Sequence, residues 1–295
     1  MKDYTVIALA YQDQIRIYAS TSRHLVDLSR KYHQTKPTAT AAMGRFLTAS
    51  AMISLMYKDG ERLAFKIQGD GPIEEMRVEA KNGIVKSTIK NPDVYMVYED
   101  GPKQGKLNVG KAVGRGYLHM TKDYKGHYFT SSSPLQTGEI GDDFTYYFAT
   151  SEQTPAAVGL GVLVSNGAKV IAAGGFIVQV LPHTSNDVIT QVEKQISLIP
   201  SITDLLITGQ TPEDIIHLIS NGTEKILETK EIKYRCGCSK ARYRKSLGAL
   251  NVESLEEMLH EDKQAEIICQ YCGKKYIFDA IELQELIDKK KKIKG

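Results

Sequence analysis

The four cysteines are the residues whose spacing most clearly indicates chemistry. They lie in the last fifth of the 295 residues as two close pairs, Cys236 with Cys238 and Cys269 with Cys272, and 30 residues separate the pairs. Zn²⁺ prefers four soft or borderline ligands in a tetrahedron, and two short chelating turns supply that geometry. We therefore expect one Zn²⁺ per chain, with all four cysteines as its ligands.

The two pairs predict different turns. Gly273 follows Cys272 where a chain commonly turns back beneath a metal, so the second pair is typical of a zinc knuckle. In the first pair a single residue separates the two sulfurs, and both reach one metal only if the backbone bends sharply. We expect Gly237 to supply the dihedral angles for that bend.

Two other uses of the cysteines compete with a zinc site. Free structural thiols would be scattered among apolar positions, whereas polar and basic residues such as Arg235, Ser239 and Lys274 lie beside these four. Structural disulfides would suit a secreted chain. The apolar run near the N-terminus, residues 5–10, is too short for the core of a signal peptide.

The rest of the composition sets bounds on the class of protein. The longest apolar stretch, Val170 to Val178, is well below the roughly 20 residues that span a bilayer. A net charge of +3 is too small to indicate a nucleic-acid binder by itself. We expect a cytoplasmic protein with reduced thiols, no membrane partner and, at 42% hydrophobic residues, more than one folded part.

The elements that position the cysteines predict an α+β fold in three parts. Residues 1–182 are expected to form an antiparallel sheet with helices packed on a face, because runs of alternating polarity are separated by turn residues such as Asn82 and Gly83. Strands are predicted at residues 4–10, 15–20, 63–67, 76–79, 84–89, 116–120, 158–164 and 170–180, with Ser165-Asn166-Gly167 joining the last two. Helices are predicted at residues 23–31, 38–56 and 142–153, and the serines at 131–133 are interpreted as a loop.

Residues 183–232 predict an amphipathic helical linker folded against the core. Val188, Val192 and Ile196 fall on one helical stripe at a spacing of four. Thr211 and Pro212, followed by two acids, are typical of a helix start, and Asn221-Gly222 is typical of a helix end.

Residues 233–295 are too few for a large hydrophobic core, so the zinc site should hold this module together. A structural zinc contributes about 10–16 kcal/mol of apparent binding free energy, whereas whole domains are stable by only about 5–15 kcal/mol. Three roles remain open for such a site: a structural staple, a nucleic-acid-binding module and a redox switch. The redox role is open because zinc-bound sulfurs are thiolates, the form that peroxides attack, and each pair can close on itself.

The chain resembles the redox-regulated heat-shock chaperone family of bacteria, the 33-kDa chaperonins. The resemblance lies in the Cys-x-Cys-Ser motif that begins at Cys236 and in the Cys-x-x-Cys-Gly motif that begins at Cys269, with Tyr276 and Phe278 after it. It continues upstream in the Ser-Glu-Gln block of residues 147–155 and in residues 173–182, and so covers the whole length.

The resemblance implies an ATP-independent holdase that is inactive while reduced and zinc-bound. Oxidation, usually with mild heat, would form two disulfides, release zinc and expose surface for unfolding client proteins. The implied pairs are Cys236 with Cys238 and Cys269 with Cys272, one of three connectivities that four cysteines allow. The family implies a homodimer in the active form, and no nucleotide. We further expect the linker stripe of Val188, Val192 and Ile196 to become client-facing.

We expect no enzyme. The seven histidines form no ligand pair at a spacing of four, and the paired glycines at 159, 161, 174 and 175 lack the full phosphate-loop pattern, which favours close strand packing. The alternative function is a zinc-ribbon nucleic-acid-binding protein that uses Arg242, Arg244, Lys245 and the C-terminal lysines against phosphates. A thiol-disulfide oxidoreductase would need an exposed, reactive thiol, and four zinc-bound thiolates argue against it.

Overall fold

The structure is a computed structural model that describes residues 2–57, 61–165 and 167–294. The first half of the described chain holds these elements: β1 (Tyr4–Ala10), β2 (Ile15–Thr21), α1 (Arg23–His33), α2 (Pro37–Ile53), β3 (Arg62–Gly69), β4 (Glu75–Lys81), β5 (Ile84–Ile89), α3 (Val109–Val113), β6 (Gly116–Tyr124), β7 (His127–Pro134) and α4 (Gly141–Thr150). The second half holds these: β8 (Ala156–Val164), β9 (Val170–Val180), α5 (Asn186–Leu198), α6 (Ile202–Ile207), α7 (Pro212–Ser220), β10 (Lys225–Glu231), β11 (Lys233–Tyr234), α8 (Lys240–Leu247), α9 (Val252–Glu261), β12 (Gln264–Ile268), β13 (Lys275–Asp279) and α10 (Ala280–Lys294).

The chain divides into two compact units, residues 1–235 and residues 236–295. The first unit contains two sheets, in which nearly all neighbouring strands are antiparallel. One has five strands in the order β10-β1-β2-β9-β8, and the other has six in the order β11-β5-β4-β3-β6-β7. The α+β class with antiparallel sheets is therefore confirmed. No helix in the described part of the chain combines the length and apolar character that a membrane span requires.

Helix α2 forms the centre of the first unit. It contacts strands of both sheets, and nearly all of its side chains are buried, including Phe46 and Leu47. Small residues make this possible: a Cβ at Gly44 would lie 2.6 Å from a methyl carbon of Val26. The prediction of a buried helix packed on both sides is confirmed, and it follows from a composition that allows close approach.

The predicted hairpins and strands of the core are confirmed, apart from details at their ends. Asn82 and Gly83 both have a positive φ, 46° and 75°, in the turn between β4 and β5. Asn166, in the middle of the turn predicted between β8 and β9, lies outside the described residues. The predicted close packing at the paired glycines is also found, since a Cβ at Gly159 would lie 2.5 Å from the Phe176 ring.

The interpretation of Ser131, Ser132 and Ser133 as a loop is wrong. All three lie in β7, paired with Met120, His119 and Leu118 of β6. Serine has little intrinsic preference for strands, so here the pairing with the neighbouring strand decides the conformation.

The helical prediction for residues 183–232 holds for α5 and α7 and fails for β10. Helix α7 begins where it was predicted to begin: the Thr211 side chain accepts a hydrogen bond from the Asp214 N–H, and Asn221 ends the helix at φ 52°. Residues 225–231, however, form an edge strand that pairs with β1. Most side chains of this strand are exposed, so no apolar alternation indicated it.

The second unit is a small α+β module. Strands β12 and β13 form an antiparallel hairpin, and the described part of the unit also holds three helices, α8, α9 and α10. Its core consists of ten buried residues, among them Leu255, Phe278, Leu283 and Cys269.

Candidate metal centre

The four cysteine sulfurs lie together at the core of the second unit. All four Sγ atoms are within 4.8 Å of one another, and the distances from Cys236 to Cys269 and from Cys238 to Cys272 are both 3.5 Å. A tetrahedral zinc with bonds of about 2.3 Å would hold its sulfurs about 3.8 Å apart. The donor set and its spacing therefore fit one Zn²⁺, and no pairing of the sulfurs is selected by distance.

The second pair lies in the turn between β12 and β13. The N–H of Gly273 donates to the Cys269 carbonyl at 2.8 Å, and the N–H of Cys269 donates to the Lys274 carbonyl at 3.0 Å. Gly273 has a φ of 68°, which favours glycine. The turn is the predicted knuckle.

The first pair lies between β11 and α8, where Ser239 caps the helix by accepting the N–H of Arg242. The expectation that Gly237 supplies a special conformation is wrong. Gly237 does not have a positive φ, and a Cβ at that position would meet nothing within 4 Å. Gly237 thus lies outside the left-handed region that favours glycine, and a side chain could be accommodated between the two cysteines.

The electrostatic setting differs among the thiols. Burial alone raises the pKa of Cys269, but the Tyr243 hydroxyl and the backbone N–H groups of Tyr271 and Cys272 donate hydrogen bonds to its sulfur and lower the pKa to about 6. Burial raises the pKa of Cys236 and Cys272. Of Cys236, Cys269 and Cys272, Cys269 is therefore the one whose thiolate form is favoured.

A tyrosine hydroxyl reaches one of the sulfurs. Tyr276 donates to the Sγ of Cys238 at 3.1 Å, and this hydrogen bond raises the pKa of Tyr276 to about 12. The Tyr243 ring lies beside that of Tyr276, with the two ring centroids 5.1 Å apart. Sequence reasoning used Tyr276 only as part of a resemblance and missed both contacts. The position of Tyr276 four residues after Cys272 was the available signal.

The linker stripe lies on the five-stranded sheet of the first unit. Val192 is 3% exposed, while Val188 and Ile196 are partly buried, and all three pack in a cluster with Phe176 and Val178 of β9. The stripe is thus covered in this structure.

Some of the basic residues considered for nucleic-acid binding form ion pairs with carboxylates of the same unit. Arg244 pairs with Glu285, and among the C-terminal lysines the Nζ of Lys291 lies 2.8 Å from an oxygen of Glu256. Arg242 and Lys245, on the same helix as Arg244, are exposed or partly exposed. Among the described residues, the four cysteines are the one cluster of metal-ligand types close enough to hold an ion.

Comparison with known proteins shows similarity along nearly the whole chain. The sequence model of the family described as "Hsp33 protein" matches residues 3–279. The 33 kDa chaperonin of Acholeplasma laidlawii is 66% identical over 98% of this chain and 100% of its own length, and that of Bacillus subtilis is 41% identical over 97% and 98%. The crystal structure of the 33 kDa chaperonin from Thermotoga maritima has a TM-score of 0.91 and 31% identity, and covers 99% of this chain and 100% of its own. The fold, the four-cysteine cluster and these matches together show that the chain belongs to the Hsp33 family of chaperones.

Proposed function

We propose that the chain is a redox-regulated, ATP-independent holdase that prevents aggregation of unfolding proteins. The observation that carries the proposal is the position of the four sulfurs, which fit a single Zn²⁺ and lie in or against the core of the unit that contains them. Oxidation of these sulfurs therefore alters the folding of that unit as well as its chemistry. The expected cofactor is one Zn²⁺ per chain, bound by Cys236, Cys238, Cys269 and Cys272 in the reduced state.

A bound zinc would hold the four sulfurs as thiolates at neutral pH. The oxidant we name is a peroxide. One thiolate forms a bond to a peroxide oxygen as the O–O bond breaks, giving a sulfenic acid and a hydroxide that is protonated to water. A second thiolate then attacks the sulfenic sulfur and displaces a second hydroxide. Two peroxides, four thiolates and four protons thus give two disulfides and four waters, and the ion leaves because disulfide sulfurs are poor ligands.

The disulfides expected to form are Cys236 with Cys238 and Cys269 with Cys272. Each closes only a short turn, so neither can replace the zinc ion, which would join the two pairs across the 30 residues between them. A core of ten buried residues is small for an independent domain. We therefore expect residues 236–295 to unfold on oxidation.

The client-binding surface is proposed to include the stripe formed by Val188, Val192 and Ile196. In this structure the stripe is packed on β9, so α5 must leave the sheet before clients can reach it. We keep the division into a core of residues 1–182, a linker of residues 183–232 and a switch module of residues 233–295 as part of the proposal. The active form is expected to be a cytoplasmic homodimer that needs no nucleotide and performs no catalysis.

Light scattering tests the proposal directly. A chemically unfolded client is diluted into buffer with the protein either zinc-loaded and reduced or peroxide-treated at mildly elevated temperature, while a chromogenic chelator follows zinc. We expect suppression of aggregation only after oxidation, with about one zinc released per chain. Zinc that stays bound, or equal suppression in both states, would contradict the switch. Salt-sensitive binding of RNA in that case would support the nucleic-acid alternative.

A further inference from the structure

We infer that the outer edge of β8 binds an extended segment of an unfolding client protein as an added strand, with a preference for acidic segments. The inference rests on the proposed function, because it names the kind of chain that the holdase would capture and a place for it. The site lies in the first unit, away from the cysteines, and shares only Ile196 with the linker stripe.

The edge of β8 presents backbone groups without partners. The strand is outermost in its sheet and pairs with β9 alone. The N–H of Val158 points away from β9, because it donates to the Thr145 hydroxyl at 3.1 Å. Backbone polar groups alternate in direction along a strand, so those of Leu160 and Val162 point outward as well. Within the described part of the chain, these outward N–H and C=O groups meet no hydrogen-bonding partner.

A cavity of about 1130 Å³ runs along this edge. Helix α6 forms one wall and lies close to the strand, since a Cβ at Gly161 would be 3.0 Å from the Cβ of Ile202. The other wall is the loop of residues 95–107, which is held in place by the Tyr98 hydroxyl donating to Glu139 at 3.0 Å. An unpaired edge between two fixed walls is a template for one more strand.

The charges around the cavity favour acidic side chains on the loop side. Six charged residues line it: Lys36, Arg45, Lys103, Lys106, Glu139 and Asp204. Arg45 pairs with Glu139, and Lys36 pairs with Asp93. Among the described residues, Lys103 and Lys106 form no ion pair, and the only acid left unpaired in the lining is Asp204 on α6. The loop wall is therefore positive.

The opposite wall favours apolar side chains. Ile199 and Ile202 line the cavity on the side of α6, together with Phe176 of β9. Alternate side chains of an added strand point to opposite sides, so one set faces this apolar wall and the other faces the two lysines. A segment in which apolar and acidic residues alternate fits both walls.

Backbone pairing explains why the occupant should be an unfolding client. Main-chain hydrogen bonds give affinity to any extended segment, and the walls add only a preference among side chains. A folded protein pairs its strands internally, whereas an unfolding chain offers unpaired extended segments. The edge thus selects for the loss of structure more than for a sequence.

The first test measures binding of a short fluorescent peptide of alternating valine and glutamate to the full-length, reduced, zinc-loaded protein by fluorescence anisotropy. It needs no oxidant. Two further peptides carry N-methyl groups, one on every valine nitrogen and the other on every glutamate nitrogen. Only one set of N–H groups faces β8, so we expect one methylated peptide to bind about tenfold more weakly and the other to bind nearly as well as the parent. Equal affinities of the two methylated peptides would overturn strand pairing.

The second test reverses the charge of the loop wall. The double variant Lys103→Glu, Lys106→Glu should bind the unmethylated peptide about tenfold more weakly at low salt, and the difference should shrink at high salt. Lys81→Glu, Lys125→Glu is the matched control, because both lysines are exposed and neither lines the cavity. Equal weakening in the two double variants would overturn the preference for acidic segments.

Two outcomes separate this inference from its alternatives. If the reduced protein sediments as a dimer that the peptide dissociates, β8 pairs with a second copy of the chain, and the assignment to clients is overturned. If no peptide binds while the oxidised protein still suppresses aggregation, the edge site is overturned and the proposed function stands. Peptide binding as expected, without suppression in either state, would support the edge site while the proposed function fails.

Discussion

The hydroxyl of Tyr234 accepts a hydrogen bond from the backbone N–H of Ser87 at 3.1 Å and donates one to the carbonyl of the same residue at 3.2 Å. Tyr234 is the last residue of β11 and stands two residues before Cys236. Its hydroxyl bonds both backbone polar groups of Ser87 on β5, at the point where β11, the short strand that pairs with β5 in parallel, ends. One side chain thus fixes the segment that leads into the cysteines.

Replacing Tyr234 with Phe should lower the free energy of unfolding of the first unit by about 1–3 kcal/mol, because the buried N–H of Ser87 loses its partner. Thermal unfolding followed by circular dichroism measures the loss. Tyr32→Phe is the control, since the Tyr32 ring packs 5.4 Å from that of Tyr234 and is partly exposed. A loss in Tyr234→Phe no larger than that in Tyr32→Phe would contradict the role of the Tyr234 hydroxyl.

Gly237 and Gly273 should respond differently to alanine. Gly273 has a φ of 68°, at which an alanine costs about 1–2 kcal/mol, whereas a Cβ at Gly237 meets open space at an ordinary φ. We expect Gly273→Ala to weaken zinc binding by about tenfold and Gly237→Ala to leave it nearly unchanged. Competition with a chelator under reducing conditions measures both affinities. A Gly237→Ala variant weakened as much as Gly273→Ala would contradict the geometry of the first turn.

Serine at positions 188, 192 and 196 should activate the chaperone without oxidant. Each fully buried Val or Ile contributes about 1.5–3 kcal/mol, so the triple variant weakens the packing of α5 on β9. Light scattering with the reduced, zinc-loaded variant checks this prediction. Leu198→Ser is the matched control, because Leu198 lies on the same helix but is 67% exposed. If the triple variant is as inactive as the reduced parent protein, the linker takes no part in the switch.

Removing zinc from the reduced protein should unfold residues 236–295 and leave residues 1–235 folded. Cys269 belongs to the small core of the second unit and the other three cysteines pack against it, whereas the first unit has its own larger core around α2. Hydrogen exchange after chelation should show lost protection at α8, α9, β12, β13 and α10, and retained protection in the elements of the first unit. Retained protection there would mean that the ten buried residues suffice without metal.

Asp143 should be essential for the stability of the core. Its buried carboxylate accepts the backbone N–H groups of Gln136, Thr137, Gly138 and Ile140. Asp143→Asn leaves some of these donors facing an amide nitrogen, and we expect a loss of about 2–3 kcal/mol in a denaturant titration. Asp142→Asn changes the exposed neighbour, which contacts the Thr137 hydroxyl, and should cost well under 1 kcal/mol. Similar losses would indicate a general charge effect.

The elements that could be predicted from the sequence are those whose signal is local. The alternating strands around Asn82-Gly83, the buried helix α2 and the helix start at Thr211 each carry their information within a few residues. Strands β7 and β10 do not, because serines in one and exposed polar residues in the other become strands only through pairing with β6 and β1. The partner of β10 lies more than 200 residues away in the chain, whereas β7 follows its partner β6 after a turn of two residues.

In the candidate metal site, too, one part could be predicted from the local sequence and another could not. The cysteine spacing predicted a cluster, and the sulfurs do lie together. The hydrogen bond from the Tyr276 hydroxyl to the Cys238 sulfur could not be predicted, because only the folded module brings β13 against the first cysteine pair. The role expected of Gly237 failed for a related reason: a flexible residue permits a strained turn but does not show that one forms.

Strand β10 is attached to β1 by its backbone while six of its seven side chains face solvent. Its amino acids are therefore nearly free to drift over evolutionary time, provided that proline stays away from the paired positions. The glycines of β9 are instead tightly constrained. A single added methyl at Gly174, where α6 packs on β9, would lie 2.3 Å from the Ser20 carbonyl oxygen. Natural variation should accordingly concentrate in β10 and spare the glycines of β9, so the strand is a suitable place for a fluorescent label.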